Sequence, residues 1–129
     1  MFDAHGSFDL VLNGRILEAD VKGAWNVETA YAYAASVSHY IEILQGKPWA
    51  LISIVDDFEL FTPACYPVMV ELAAKAYRSG LVNEAFVNYV DSIKMQVFKP
   101  KIAAFPDFHR AFFRTKPEAL VWLKKQGFD

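Results

Sequence analysis

The chain has 129 residues, 54% of them hydrophobic and 16% aromatic, with a net charge of −2. This length fits one domain with a full core, and the apolar fraction is high enough to leave apolar side chains at the surface. The charge balance and the lack of a recognised motif argue against nucleic-acid binding. A single cysteine, Cys65, excludes an internal disulfide, and the first residues lack the features of a signal peptide. We therefore expect a cytoplasmic protein.

The two parts of the chain differ in charge. Residues 1–91 contain five basic and twelve acidic residues, a net charge of −7, whereas residues 92–129 contain eight basic and three acidic residues, a net charge of +5. A basic C-terminal third predicts attraction to an anionic partner, such as phospholipid headgroups or an acidic protein. The alternative is that these lysines only keep the last helix and its loops soluble.

The N-terminal part of the chain predicts a hairpin followed by a long helix. Two apolar-rich runs, residues 8–13 and 16–22, are joined through Asn13-Gly14, a pair that favours the positive φ angles of a tight turn. Asn26 is placed to cap a helix that ends at Leu44, and its apolar stripe predicts ordinary core packing.

Alternating strands and helices are predicted for the rest of the chain. Residues 49–55 are apolar apart from Ser53, as expected of a central parallel strand, and further strands are predicted at 85–90 and 109–114. Thr115 and Glu118 form a capping box that opens the last helix. We predict one α/β domain over residues 1–129, with a mixed, mostly parallel sheet of about five strands and about four helices. Acidic residues 56, 57 and 59 are predicted to form a solvated loop.

The helix predicted over residues 62–79 is apolar around most of its circumference. At about 100° per residue its polar residues cover only about 100° of arc, and about 200° is apolar. The apolar residues are Cys65, Tyr66, Met69, Val70, Leu72, Ala73, Ala76 and Tyr77. A sheet covers only half of that arc, so the surplus must contact another helix, a partner chain, a nonpolar ligand or a lipid surface. Thr62-Pro63 is predicted to open this helix, and Pro67 to kink or weaken its first turn.

A second weak element is predicted over residues 91–105. In this segment Ile93, Val97 and Phe98 are interleaved with Lys94, Lys99 and Lys101, and two prolines interrupt it. The pattern supports at most a short helix over residues 92–99, with apolar side chains that point in more than one direction. We expect it to be marginally stable.

Three runs of residues carry a resemblance to a known family. VKGAWNVE at 21–28, KPWALISIVDDFELFTP at 47–63 and FRTKPEALVWLKKQGF at 113–128 resemble the bacterial SpoIIAA-like family. The resemblance implies a fold similar to two others. One is the STAS domain, which includes anti-sigma-factor antagonists. The other is the CRAL-TRIO domain, which carries lipids and other nonpolar molecules.

The same resemblance draws attention to Thr62. The antagonists exchange partners when a serine is phosphorylated in an Asp-Ser-Ser-Gly-like turn, just before the helix that follows the central strand. Here that place is occupied by Phe61-Thr62-Pro63-Ala64, in which only Thr62 carries a hydroxyl. Thr62 is thus a candidate phosphorylation site. The alternative is that Thr62 only caps the helix.

The leading functional hypothesis is a non-enzymatic binding protein. The helices at 62–79 and 91–105 are predicted to be mobile and to enclose a nonpolar small molecule or lipid. The predicted ligand-binding residues are Tyr66, Met69, Val70, Ala73, Tyr77, Ile93, Val97 and Phe98. The same surfaces could dock on the inner face of the membrane, with Lys94, Lys99 and Lys101 near anionic headgroups.

Two alternatives remain open at this stage. One is a regulatory module of the antagonist type that lacks the usual phosphoserine and binds a protein partner or a second copy of itself. The other is that the two segments pack on each other and leave no site. The sequence contains no nucleophile elbow, phosphate loop or dinucleotide fingerprint, and its three histidines lack paired spacing for zinc. No catalytic residue, metal site or cofactor is predicted.

Overall fold

The computed structural model describes residues 5–88 and 107–129. This part of the chain forms six strands and three helices. In chain order they are β1 (Ser7–Asn13), β2 (Ile16–Trp25), α1 (Val27–Leu44), β3 (Trp49–Ile54), β4 (Phe58–Phe61), α2 (Cys65–Ser79), β5 (Leu81–Val87), β6 (His109–Phe113) and α3 (Lys116–Lys125). The short helix predicted over residues 92–99 lies outside the described residues.

The strands form one mixed sheet with the order β1-β2-β3-β5-β6. β1 is antiparallel to β2, whereas β2 with β3, β3 with β5, and β5 with β6 are parallel. β4 adds a parallel pairing to the C-terminal end of β2. The predicted α/β class and the mostly parallel sheet are confirmed, and β3 lies at the centre of the sheet as expected.

The hairpin and the long helix form as predicted. A two-residue turn joins Asn13 to Ile16. Gly14 adopts a φ of 59° in this turn, and this conformation costs little free energy because glycine has no Cβ. The Asn26 side chain accepts a hydrogen bond of 3.1 Å from the Thr29 backbone N–H and so caps α1. At the other end of the chain, the Thr115 hydroxyl accepts from the Glu118 N–H at the start of α3.

Two strands differ from the prediction. β4 occupies part of the stretch that was expected to be an acidic loop, because Phe58 and Phe61 are buried while the two residues between them face solvent. β5 begins at Leu81, four residues before the predicted strand at 85–90, because Gly80, with a φ of 118°, ends α2 and the chain enters the strand at once. The polar residues Asn83 and Glu84 concealed this start, although both are buried.

The start of α2 also corrects the prediction. The helix begins at Cys65, and no side chain caps it, so Thr62 is not its cap. Instead the Cys65 N–H donates to the Thr62 carbonyl at 2.9 Å, which closes a tight turn before the helix. Pro67 is then the third helical residue, where a backbone N–H has no acceptor within the helix. Because the helix starts later than expected, Pro67 removes no hydrogen bond within it, and this reason for the predicted kink does not apply.

The helices cover the two faces of the sheet unequally. α1 and α2 lie on one face, where α1 provides six buried residues and α2 only Cys65, Leu72 and Ala76. α3 lies on the other face, where Ala119 and Leu123 pack with strand residues and Phe128. α2 is thus held by fewer buried side chains than α1, although the two helices differ little in length.

We expect this difference to appear in native-state hydrogen exchange. Amides of α2 should exchange through local opening at a free energy below that of global unfolding, whereas β3 and α1 should show the highest protection. Mass spectrometry of peptides from the three elements measures this directly, with α1 as the matched helical control. Equal protection of α1 and α2 would show that α2 is fixed as firmly as the rest of the core.

Candidate functional site

A cavity of about 190 Å³ lies between α2 and the sheet. Two helices, α1 and α2, and four strands, β3, β4, β5 and β6, contribute side chains to its walls. The described residues around it are Tyr33, Val37, Trp49, Leu51, Ser53, Phe61, Tyr66, Met69, Val70, Leu72, Ala73, Ala76, Tyr77, Leu81, Glu84 and Arg110. Most of the wall is apolar, and the charged groups are confined to β5 and β6.

The α2 side of the cavity contains all five ligand-binding residues that were predicted on this helix, namely Tyr66, Met69, Val70, Ala73 and Tyr77. Tyr66 and Val70 are 40% and 42% exposed, so they form the rim, whereas Met69, Ala73 and Tyr77 are half-buried. The surplus apolar arc of α2 thus faces a cavity. Whether these residues bind a ligand stays a prediction.

The other predicted site residues lie outside the described part of the chain. These are Ile93, Val97 and Phe98, predicted to bind the ligand, and Lys94, Lys99 and Lys101, predicted to contact a membrane. Their roles stay predictions.

An aromatic cluster around Trp25 supports two residues of the cavity wall. The buried Trp25 ring lies 5.0 Å from the ring of Tyr33 and 5.5 Å from that of Phe61, both of which line the cavity. The Trp25 carbonyl accepts from the Thr62 N–H at 2.9 Å and lies 3.5 Å from the Cys65 sulfur. The end of β2 therefore positions the first turn of α2 over the sheet.

A buried ion pair forms the polar end of the cavity. Glu84 of β5 and Arg110 of β6 lie directly opposite each other in the parallel register. The Arg110 Nη2 and Nε atoms donate to Glu84 Oε1 at 2.8 and 3.1 Å, and the Ser53 hydroxyl donates to Oε2 at 3.4 Å. Both charged side chains are at most one-tenth exposed. The guanidinium also lies over the Phe86 ring, 4.9 Å from its centroid.

The ion pair governs the ionisation of the groups around it. Burial raises the pKa of Glu84, and the charge and hydrogen bonds of Arg110 oppose that rise. Burial, with the negative charge of Glu84, raises the pKa of Tyr77 to about 12, and it raises the pKa of Tyr33 as well. Both tyrosines are therefore neutral hydroxyls at physiological pH. A hydrogen bond between Arg110 and the Tyr77 hydroxyl lowers the pKa of Tyr77 and so opposes this rise. The Tyr77 hydroxyl therefore lies beside the guanidinium.

The sequence did not identify Glu84 and Arg110 as site residues. A glutamate inside an otherwise apolar strand was the available signal, since a buried carboxylate needs a partner. The identity of that partner depended on the register between β5 and β6, which are separated by more than twenty residues of chain. No local pattern specifies this register.

Thr62 lies half-buried before α2, and its hydroxyl is 3.4 Å from the Cys65 sulfur. Its modification stays a prediction. Within residues 5–88 and 107–129, no cluster of three or more His, Cys, Asp or Glu residues is arranged to hold a metal ion. No helix in that part of the chain is both long and apolar enough to cross a membrane.

Comparison with solved structures identifies the fold. One similar structure is an uncharacterised protein of the DUF3478 family with a SpoIIAA-like fold from Shewanella loihica PV-4, with a TM-score of 0.73 and 11% identity over 95% of this chain and 97% of that chain. Another is the Bacillus cell fate determinant SpoIIAA in its phosphorylated form, with a TM-score of 0.62 and 14% identity over 91% of this chain and 99% of that chain. No family model and no curated protein sequence matches the chain.

The chain therefore has a SpoIIAA-like fold, as the sequence resemblance implied. At these identities the similarity concerns the fold, and function has to be argued from the site.

The ion pair leads to a prediction about stability. Arg110→Met should lower the free energy of unfolding by about 3–5 kcal/mol at pH 7, because it leaves Glu84 buried without its counter-charge. The double variant Arg110→Met/Glu84→Leu should recover most of that loss, since it removes both charges. Lys116→Met breaks the more exposed ion pair with Glu18 and should cost about 1 kcal/mol or less. Urea unfolding measures all three.

The same variant has a defined pH dependence. Without Arg110 the pKa of Glu84 in the folded state rises further above its value in the unfolded chain, so the folded state is favoured when Glu84 is protonated. The deficit of Arg110→Met relative to the parent should thus shrink as the pH falls through the folded-state pKa. A deficit that is independent of pH would show that the loss comes from packing alone.

Proposed function

We propose that this protein is a non-enzymatic binding protein that holds a nonpolar molecule in the cavity beneath α2. The observation that carries the proposal is the cavity itself, which lies under the helix whose apolar arc is too wide for the sheet. Packing normally fills space of this size in a protein interior. A ligand of matching size would regain the contacts that the wall side chains lack.

The cavity volume limits what can bind without rearrangement. An engineered 150 Å³ apolar cavity in another protein binds benzene. The cavity here, at about 190 Å³, fits a molecule built on one ring or a short branched chain. A long-chain lipid needs more space, which α2 would provide by moving away from the sheet. The few buried residues of α2 support such a movement.

Peripheral membrane association is the second part of the proposal. Tyr66 and Val70 already present apolar side chains at the rim of the cavity, on the surface of α2. An interfacial helix binds by burying such side chains at the boundary between headgroups and acyl chains. Lys94, Lys99 and Lys101 would add attraction to anionic lipids.

Nonpolar binding predicts stabilisation by a small hydrocarbon. Toluene at about ten times its Kd should raise the free energy of unfolding by about 1.4 kcal/mol and increase Tm accordingly. Met69→Asp should abolish this shift, because it places a carboxylate in the apolar wall. Val121→Asp is the matched control, since Val121 is an exposed apolar residue on α3, and it should keep the shift.

Differential scanning fluorimetry with a toluene titration makes this measurement. No shift of the parent protein, or an equal shift in Met69→Asp, would remove the carrier hypothesis.

Membrane association predicts sedimentation with anionic vesicles that weakens as salt is raised. Each lysine near the surface contributes about 1 kcal/mol, and this part is screened within a Debye length. Replacing Lys94, Lys99 and Lys101 together with glutamine should therefore reduce sedimentation at low salt. Val70→Asp should reduce it at all salt concentrations, because it removes an exposed apolar contact. If the triple variant sediments like the parent, these lysines do not contact the membrane.

A partner-binding regulatory module remains the second candidate. It is supported by the similarity of the fold to SpoIIAA, although the hydroxyl available before α2 is a threonine rather than a serine. Pull-down with a Thr62→Glu variant and the parent tests a switch at this position. Toluene binding together with partner capture that is indifferent to Thr62→Glu would favour the carrier.

A further inference from the structure

Tyr33 is a buried tyrosine that has no hydrogen-bond partner among the described residues. It lies on α1, is 5% exposed and forms part of the cavity wall. Its ring is held at 5.2 Å from Phe8 and 5.0 Å from Trp25. Within residues 5–88 and 107–129, its hydroxyl forms no hydrogen bond. A buried tyrosine hydroxyl normally has a partner, so this donor is unusual.

The Tyr33 side chain lines the same cavity as the Glu84–Arg110 ion pair. Burial, with the negative charge of Glu84, raises the pKa of the Tyr33 hydroxyl. As a neutral phenol it can donate one hydrogen bond. A ligand bound in the cavity could provide the group that accepts this hydrogen bond.

The ion pair determines which charge that group can carry. Glu84 and Arg110 neutralise each other, and both are at most one-tenth exposed. A carboxylate in the cavity would lose its hydration and approach Glu84, and an ammonium or amidinium would approach Arg110. Neither ion finds an uncompensated counter-charge there, so burial of either is unfavourable. An uncharged acceptor meets no such penalty.

We propose that the ligand is a compact, uncharged molecule with a ring-sized apolar body and one hydrogen-bond acceptor, such as a carbonyl oxygen, that accepts from the Tyr33 hydroxyl. The inference rests on the proposed binding function and specifies its ligand class. The apolar body contacts the α2 wall at Met69 and Ala73, and the acceptor lies between Tyr33 and the ion pair.

Four probes of similar size, each a benzene ring with one small substituent, test the ligand class. Acetophenone carries the carbonyl, α-methylstyrene replaces it with an alkene, and benzoate and benzamidinium replace it with an anion and a cation. Acetophenone should bind roughly three- to tenfold tighter than α-methylstyrene, which is what one hydrogen bond contributes. Benzoate and benzamidinium should bind at least about tenfold more weakly than acetophenone. Isothermal titration calorimetry at one pH and salt concentration compares them.

Tyr33→Phe separates recognition from packing. It removes only the hydroxyl. The affinity for acetophenone should therefore fall to within about twofold of the affinity for α-methylstyrene, and the affinity for α-methylstyrene should not change. The Tm of the ligand-free variant should equal or exceed that of the parent, because the hydroxyl has no partner to lose among residues 5–88 and 107–129. Tyr40→Phe is the matched control, since Tyr40 is a partly buried tyrosine of α1 that is outside the cavity wall. It should keep the preference for acetophenone.

Glu84→Gln tests the role of charge. It removes the carboxylate that neutralises Arg110 in the cavity wall, so benzoate should gain at least about tenfold in affinity relative to acetophenone. Glu18→Gln removes the carboxylate of a second ion pair of the described residues, which is not part of the cavity wall, and should leave the order of the probes unchanged. If Glu84→Gln does not fold, the order in the parent and the Tyr33→Phe result decide the question.

The outcomes distinguish this inference from the proposed function. Binding of toluene without a preference for acetophenone, as expected if the Tyr33 hydroxyl retains a water molecule, would overturn the ligand class and leave the carrier. If benzoate or benzamidinium binds as tightly as acetophenone, the uncharged ligand class is likewise wrong and the carrier function is kept. Failure of toluene and all four probes would overturn both.

Discussion

The ion pair between Glu84 and Arg110 is the interaction on which the site depends. It joins two neighbouring parallel strands in the interior, where each charge requires the other. Hydrophobic side chains of the same volume would provide similar stability, so the pair has to be explained by specificity or by function. The ion pair on β5 and β6 and the apolar side chains of α2 line the same cavity, so the pair provides the charged part of its wall.

The position of α2 follows from a second constraint. A parallel sheet must be covered on both faces, and α3 and Phe128 cover one of them. On the other face, α1 provides the larger share of the buried surface, and the Trp25 carbonyl anchors the start of α2. α2 is thus fixed at its first turn and only lightly packed beyond it. The movement of α2 that the proposed function requires would therefore begin at its C-terminal end and leave the sheet intact.

The sequence predicted the fold better than the site. Asn26, Gly14 and the capping box at Thr115 act through neighbouring residues, so they were recognisable from the letters alone. The wide apolar arc of α2 includes residues that line the cavity, and their role in binding stays a prediction. The polar end was missed because Glu84, Arg110 and Tyr33 come from three separate elements, and only strand register and helix packing bring them together. The early start of β5 was missed because its buried polar residues resemble those of a loop.

The cavity combines features that work against stability when it is considered alone. It forgoes packing contacts, holds two charges away from water and leaves the buried Tyr33 hydroxyl without a partner among residues 5–88 and 107–129. A single ligand with an apolar body and a neutral acceptor would restore the packing contacts and accept a hydrogen bond from the Tyr33 hydroxyl. It would leave the ion pair undisturbed. One class of molecule is thus compatible with all three destabilising features of the cavity. We regard selection for binding as a better explanation of this combination than imperfect packing. On the opposite face of the same sheet, α3 and Phe128 pack on apolar side chains of the strands. The polar side chains Asn83 and Glu18 are paired there with Gln126 and Lys116 at the ends of α3, so that face combines a closed apolar core with satisfied polar groups.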